Sequence, residues 1–567
     1  MDKLTSYRQA IAPLPSTQKL WPLYGAGFEN LGRSAKPVDA PVPACRPDQL
    51  LVRHDACGLC FSDTKVIAQG ENHPRIRRNM KQEPVVMGHE ISLTIVGVGE
   101  RLRGKYHVGE RHTIEADLSF RGQPLAYGYM LQGGLSQYTV IDERVLNSDH
   151  GNCLLPANPQ RGYAEIALAE PWACVVAAYT LSYRSGLKPG GTWWIIGAGG
   201  AKRYQVSAGF DAAAHPARVL LTNVPADFAA EIRTRANLLG VAVTDVPDLA
   251  RLPVEQVDDI AILGADPQVI EAVSPHLAMS GILAILADRP MPRQVRVDIG
   301  RIHYHRWLYV GSTGTDIARA YTDTPVRAML KPGGRAWFVG AGGPMGRMHV
   351  QRAIQFAGHP RIIVCTDVSD ARLSELQDSF AVEARAKGIQ LVCLNPTQPA
   401  AFAAGMQPFA KGFDDIVALA PVPAVIAEAA THLAPGGVMN VFAGVVRGVM
   451  APINLDDACG KQTRIIGHSG SAKSDLELVL AKTNAGELSP NRAVAAVGSL
   501  DAAYDGLRAV CETRFPGKVV IYPNIRPFPL TPLEELRTKL PAVHACLKNG
   551  CEWTNEAEET FLRALLP

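Results

Sequence analysis

The chain has 567 residues, 47% of them apolar and 20% charged, with a formal net charge of +3. Such a composition belongs to a globular protein of roughly two to four domains; the net charge is too small to imply a nucleic-acid binder, and no basic tract or aromatic-interleaved patch suggests one. No apolar run reaches the roughly 18 residues that span a membrane, and the N-terminus lacks the apolar core of a signal peptide.

In chain order, the first 50 residues are proline-rich and irregular. Residues 49–118 carry short apolar segments (QLLVRHDACGLC, VVMGHEISLTIVGVGE, YHVGERHTIEADL) broken by Gly and Pro turns, and residues 129–141 continue the pattern. This predicts a β-rich domain. Residues 164–185 read as a helix leading into a stretch that occurs twice. Residues 187–200 are LKPGGTWWIIGAGG and residues 330–343 are LKPGGRAWFVGAGG, an offset of 143. The likeness resumes at an offset of 156, where Asp258 and Asp259 answer Asp414 and Asp415, so the second copy is longer by 13 residues in its middle. Each copy reads as strand, glycine-rich turn, helix and strand, the opening of a doubly wound dinucleotide-binding fold. The expected boundaries are 1–186 for the β-rich domain, 187–329 for the first repeat and 330–494 for the second. Residues 495–567 complete the β-rich domain, to which the strand GKVVIYPN should return.

The copies differ at the cofactor turn. The second has Gly340, Gly342, Gly343, Met345 and Gly346, a helix from about Met345 to Gly358, and a strand ending in Asp367. Glycines let the backbone approach a pyrophosphate at a helix N-terminus, where free N–H groups and the dipole favour an anion. A carboxylate at the next strand's end accepts from the adenosine ribose, which favours NAD over NADP. In the first copy Lys202 and Arg203 stand in place of Met345 and Gly346, and Val224 in place of Asp367. That site reads as eroded; the two cations are solvated surface charge or a grip on a phosphate.

The β-rich domain holds Cys60, Ser62 and Asp63 after one strand, and His89 and Glu90 at the start of another. Glu170 precedes the helix before the first repeat. Thiolate, imidazole and carboxylate are zinc ligands, and three protein ligands leave a fourth position open for water or substrate.

Together GLCFSD, GHE, the VGER turn, EPWAC, LKPGG and the closing GKVV strand resemble the medium-chain, zinc-dependent alcohol and polyol dehydrogenases. GPMGRMHVQRA, FAG at 442–444 and GHSGS at 467–471 are most similar to the branch of sorbose-1-phosphate reductases and related sugar dehydrogenases. The resemblance implies an α/β protein with a GroES-like catalytic domain and two tandem Rossmann-type domains. It implies Cys60 and His89 as zinc ligands, Glu90 or Glu170 as the third, and Ser62 as the relay of the substrate proton. No Cys lies between Cys60 and Cys153, so the family's four-cysteine structural lobe is missing and one catalytic zinc is expected.

The expected reaction transfers a hydride between NAD and a secondary alcohol or ketone of a polyol, sugar or sugar phosphate. A lyase or epimerase with tightly bound NAD, a zinc-free reductase and a non-enzymatic scaffold are the alternatives. Eleven cysteines without regular pairing fit a reducing cytoplasm, and a homo-oligomer is expected. The insertion HPRIRR at residues 73–78 reads as a solvated loop or a phosphate contact. The second repeat, though later in the chain, is expected to serve the zinc.

Overall fold

The computed structural model describes residues 2–468 and 470–567. Ser469, within the GHSGS motif, lies outside them. The chain forms two compact units. One contains residues 2–177, 343–348 and 470–567, the other residues 178–342 and 349–468.

The first unit is built on β1 (Leu50–Gly58), whose nine residues are all buried. It is followed by α1 (Phe61–Gln69), β2 (Glu90–Val98), β3 (Arg111–Ile114), β4 (Tyr138–Ile141), β5 (Leu154–Pro156) and α2 (Ala169–Ala177). β1 and β2 pair antiparallel, with Gly58 opposite Glu90. A Cβ on Gly58 would lie 2.2 Å from Glu90 Oε2. Only glycine leaves room for that carboxylate, so the pairing itself delivers Glu90 beside Cys60.

Apart from residues 343–348, which belong to the first unit, the second unit holds both repeats. In the first, β6 (Thr192–Ala198), β7 (Arg218–Thr222), α3 (Ala226–Leu239), β8 (Ala242–Asp245), β9 (Val257–Gly264), β10 (Leu277–Leu286), β11 (Val295–Asp298), α4 (Ile299–His305) and β12 (Leu308–Ser312) follow in order. In the second come β13 (Arg335–Val339), α5 (Pro344–Gln355), β14 (Ile362–Thr366), α6 (Asp370–Ala386), β15 (Gln390–Leu394), β16 (Phe413–Ala418), β17 (Leu433–Val441), β18 (Met450–Ile453), α7 (Asp456–Gly460) and β19 (Arg464–Gly467). The sheets run β8-β7-β6-β9-β10-β12 and β15-β14-β13-β16-β17-β19, all parallel. Both have the doubly wound order, reversing beside their first strand.

The same contacts recur in each copy. Arg184 pairs with Asp259 at 3.0 Å and Lys188 with Asp258 at 2.6 Å. Arg327 pairs with Asp415, and Lys331 with Asp414 at 2.7 Å. The indole N–H of Trp194 donates to Thr222 at 2.9 Å, and that of Trp337 to Thr366 at 3.0 Å. One apolar core runs through both repeats, from Trp194, Ile260 and Val297 to Trp337, Ala451 and Ile465. Each fully buried Ile, Leu or Val in it contributes about 1.5–3 kcal/mol.

The first repeat departs from the sequence expectation. No helix joins β6 to β7; residues 199–217 are irregular there, where the second repeat has α5. Strand alignment also corrects one position. β7 ends at Thr222 where β14 ends at Thr366, so Asn223, not Val224, stands in the place of Asp367. One residue fewer between the first two strands shifts the comparison.

The chain returns to the first unit at residue 470, ahead of the expected boundary at 494, and adds β20 (Val494–Ser499), β21 (Lys518–Tyr522) and β22 (Thr531–Pro532). β21 lies against β1, with Ile521 opposite Cys57. The completed sheet runs β5-β3-β2-β1-β21-β20-β22, with β4 also paired to β1. GKVVIYPN thus supplies a central strand and places Lys518 next to Glu90.

Candidate active site

Cys60 sits between β1 and α1 as the residue before the helix. Its backbone N–H donates to Asp63 at 2.9 Å, which fixes the first turn. Gly88 holds φ +100°, and a Cβ there would meet Cys57 Sγ at 2.7 Å. The tight turn swings His89 toward Cys60. One ligand atom from each of Cys60, His89 and Glu90 lies within 4.8 Å of the others. Glu170, at the start of α2, is outside that set and borders it, feeling the charges of His89 and Glu90.

Their surroundings fit a cation. Glu90 is fully buried; Lys518 Nζ donates to its Oε1 at 2.5 Å, while Oε2 is buried without a hydrogen-bond partner. A buried carboxylate oxygen left unmade costs several kcal/mol unless something positive meets it. His89 Nε2 shares a hydrogen bond with Ser62 Oγ at 3.2 Å, and its Nδ1 faces Asp63 Oδ1 at 3.3 Å. The second contact is how a carboxylate orients a metal-binding imidazole from behind. Burial, the largest single influence, works to keep His89 neutral, but Asp63, Tyr129 and Cys60 together raise its pKa well above the ordinary histidine value. Burial raises the Glu170 carboxyl to about 7, with His89 opposing the shift and Glu90 adding to it. The donor set of one thiolate, one imidazole and one carboxylate, with an excess of acids around it, suits zinc.

Three neighbours have no signal in the local sequence. Tyr129 places its ring 5.7 Å from that of His89. Arg75 of the basic insertion lies 5.1 Å from the Tyr129 ring and pairs through both its terminal nitrogens with Asp117. The insertion therefore borders the site through Arg75, while Pro74, Arg75 and Arg77 remain exposed. Lys518 is 428 residues from Glu90 and could be found only through the β1–β21 pairing.

In the second repeat, Gly340 has φ +83°, and Gly340 and Ala341 both donate to Thr366 O, at 2.8 and 2.9 Å. Gly342 N–H donates to Asp367 Oδ2 at 3.0 Å, and a Cβ on Gly342 would meet Arg372 Cβ at 2.7 Å and that oxygen at 2.8 Å. A Cβ on Gly343 would face open space. Pro344, Met345 and Gly346 open α5. This is a bare-backbone cradle at a helix N-terminus with a carboxylate at its edge, and it fits a dinucleotide.

The first repeat's turn offers nothing comparable. A Cβ on Gly200 would meet the Tyr204 hydroxyl at 1.9 Å, so a side chain already fills that space. Lys202 Nζ donates to Ala287 O at 3.3 Å and Thr313 O at 2.5 Å, which commits it to carbonyls and not to a phosphate.

The segment after α2 packs on the second repeat. Asn440 Nδ2 donates to Ala178 O at 2.9 Å, and Tyr179 Oη shares a 2.6 Å hydrogen bond with His349 Nδ1 of α5.

Residues 46–148 match the alcohol dehydrogenase GroES-like domain. The chain is 22% identical over 537 residues to the mannitol-1-phosphate 5-dehydrogenase of Aliivibrio fischeri, covering 92% of this chain and 93% of that one. It is 28% identical over 304 residues to the L-sorbose 1-phosphate reductase of Klebsiella pneumoniae, covering 49% and 73%. The solved 2R,3R-butanediol dehydrogenase of Bacillus subtilis matches with a TM-score of 0.51 at 16% identity, covering 89% of this chain and all of that one. That likeness shows a shared fold.

Proposed function

We propose that this chain, a homologue of the zinc-type alcohol dehydrogenases, uses one zinc and NAD to interconvert a secondary alcohol and a ketone on a polyol, sugar or sugar phosphate in the cytoplasm. The observation that carries the reading is the convergence of Cys60, His89 and Glu90 donor atoms within 4.8 Å, with Ser62 hydrogen-bonded to His89. The dehydrogenase homologues act on small molecules of this kind by name. All eleven cysteines are free thiols, and among the described residues no helix is long and apolar enough to cross a membrane.

A zinc ion at this site would acidify a substrate hydroxyl and polarise a carbonyl. NAD would supply the hydride acceptor. The chain's own groups do the rest. Cys60, His89 and Glu90 hold the metal, and Glu170 stands beside them as a possible replacement ligand. Lys518 occupies one Glu90 oxygen and so aims the other inward. Asp63 fixes the imidazole plane of His89. Ser62 Oγ takes the substrate hydroxyl proton and passes it outward. Tyr129 walls the site and excludes water beside His89. In the second repeat, Gly342 and Gly343 admit the pyrophosphate, Met345 and Gly346 open the helix over it, and Asp367 accepts from the adenosine ribose. A 2′-phosphate would meet that carboxylate's charge, which favours NAD over NADP.

Two observations support assigning the cofactor to the second repeat. The segment leaving α2 docks on α5 and β17. Residues 343–348 belong to the same compact unit as Cys60 and His89, and no residue of the first repeat does.

The test is metal analysis combined with NADH formation across a panel of polyols and sugar phosphates. One zinc per chain and NADH produced from secondary alcohols are expected. Absence of zinc after metal-replete expression, or a preference for NADP, would overturn the reading.

A further inference from the structure

The two repeats meet face to face with equivalent parts. β11 runs antiparallel to β18, with Val295 opposite Ile453, Arg296 opposite Pro452, Val297 opposite Ala451 and Asp298 opposite Met450. At the offset of 156 Val295 answers Ala451, Arg296 answers Pro452 and Val297 answers Ile453, and the burial patterns agree. The pair Val295–Ile453 therefore maps onto the pair Val297–Ala451, and Arg296–Pro452 maps onto itself. Antiparallel pairing of equivalent strands about such a point is the arrangement of a two-fold axis.

The flanking contacts obey the same exchange. A Cβ on Gly311, in β12, would meet Cys459 Sγ at 2.4 Å and Cys459 Cα at 3.2 Å, in α7 of the other repeat. A Cβ on Gly467, in β19, would meet His303 Cα at 2.7 Å and Ile302 O at 2.6 Å, in α4 of the first. Gly311 answers Gly467, and His303 answers Cys459. At both equivalent positions only glycine lets the partner helix come so close. Val297, Ile302, Ala451, Ile453 and Cys459 are buried at this seam.

What the first repeat has lost and kept follows the seam. Its cofactor half lacks the helix after the turn and carries Asn223 for Asp367. Its docking half, from β9 onward, keeps the constant offset of 156, through β11 and β18.

We infer that the first repeat is a tethered stand-in for a second copy of the nucleotide-binding fold. It occupies, within one chain, the face through which the second repeat would pair with another copy of itself. Without it, the edge strand β19 and the apolar residues of β18 would be exposed, and an open edge with an apolar rim recruits other chains. The working unit is therefore complete at this face with a single chain of 60.9 kDa. A homo-oligomer would have to form through a different surface.

The experiment mixes isotopically heavy and light chains that carry Arg296→Cys and Pro452→Cys. These positions are exposed and directly opposed. A short thiol cross-linker is added and the joined peptides are weighed. Only heavy–heavy and light–light pairs are expected. Heavy–light pairs at this seam would overturn the inference. In the unsubstituted protein the amides of Val297 and Ala451 should keep the same hydrogen-exchange protection across a dilution series. Protection lost on dilution would equally overturn it, whether or not the double variant folds.

Discussion

The two repeats start from the same sheet, the same Arg–Asp clamps and the same Trp–Thr hydrogen bonds, yet they differ in what surrounds the first strand's end. In the second, a glycine turn runs into a helix and meets Asp367. In the first, the turn meets Tyr204, Lys202 is tied to two carbonyls, and no helix follows. The two copies share a fold that rests on strands buried on both faces and on paired Asp residues, and those Asp residues stand at the strand ends opposite the cofactor turn. The first turn lacks the helix N-terminus and the carboxylate on which a dinucleotide site depends. Stability and function thus occupy separable parts of one unit.

The largest expected effect is on the metal that the intact repeat would serve. Cys60→Ala should lose bound zinc and lower turnover by more than about 100-fold, since even outer partners of metal ligands cost about 10–100-fold. Circular dichroism should show the fold retained. Turnover near the parent level would break the account.

Next comes the turn itself. Gly342→Ala places a Cβ against Arg372 and Asp367 and should weaken NAD binding about tenfold or more, from about 1–3 kcal/mol of overpacking. Lys202→Ala in the first repeat should leave NAD affinity unchanged. Calorimetric titration of both variants checks this, and equal losses would erase the distinction.

Asp367→Ala should weaken NAD by about 1.5–3 kcal/mol, the range for a hydrogen bond to a charged group, and relax discrimination against NADP. Asn223→Ala should do neither.

The shared clamps give the opposite expectation. Arg184→Ala and Arg327→Ala each leave a buried Asp, 259 or 415, without its cation. Each should cost about 2–3 kcal/mol, below the 3–5 of a fully buried pair because both arginines are partly exposed. Thermal melts should show similar losses in the two variants.

The smallest effect lies outside both repeats. Burial pushes the Glu115 carboxyl from 4.5 up to about 8 in the folded chain, against the hydrogen bond from the Asp117 amide. Between those values the native state holds a proton that the unfolded state has released. Stability therefore falls as pH rises from about 4.5 to 8. Glu115→Gln removes that term and should flatten the melting-temperature profile of the metal-free protein over this window, by a contribution of about 1–3 kcal/mol. An unchanged slope would refute the assignment.

Much of this architecture was legible in the sequence. The duplication, the glycines of the second turn, Asp367, Cys60 and His89 are local patterns, and local patterns report local structure; the sequence left Glu90 and Glu170 as alternatives, and the structure groups Glu90 with Cys60 and His89. The missing first-repeat helix was not legible. Residues 201–216 contain Ala201, Ala208, Ala212, Ala213 and Ala214, enough to pass for helix, yet the chain there is irregular and Tyr204 fills the space beside Gly200. Lys518 and Tyr129 were equally hidden, since strand pairing and ring packing bring them to the metal site and sequence spacing carries no record of that. The insertion holding Arg75 was visible, but its contact with Tyr129 and Asp117 was not.

The most direct test of the central claim is a structure of the protein crystallised with NAD. The account predicts one dinucleotide per chain, its pyrophosphate over Gly342, Gly343 and Gly346 and its adenosine ribose on Asp367. A dinucleotide seated on the turn from Gly197 to Gly200, alone or in addition, would contradict it.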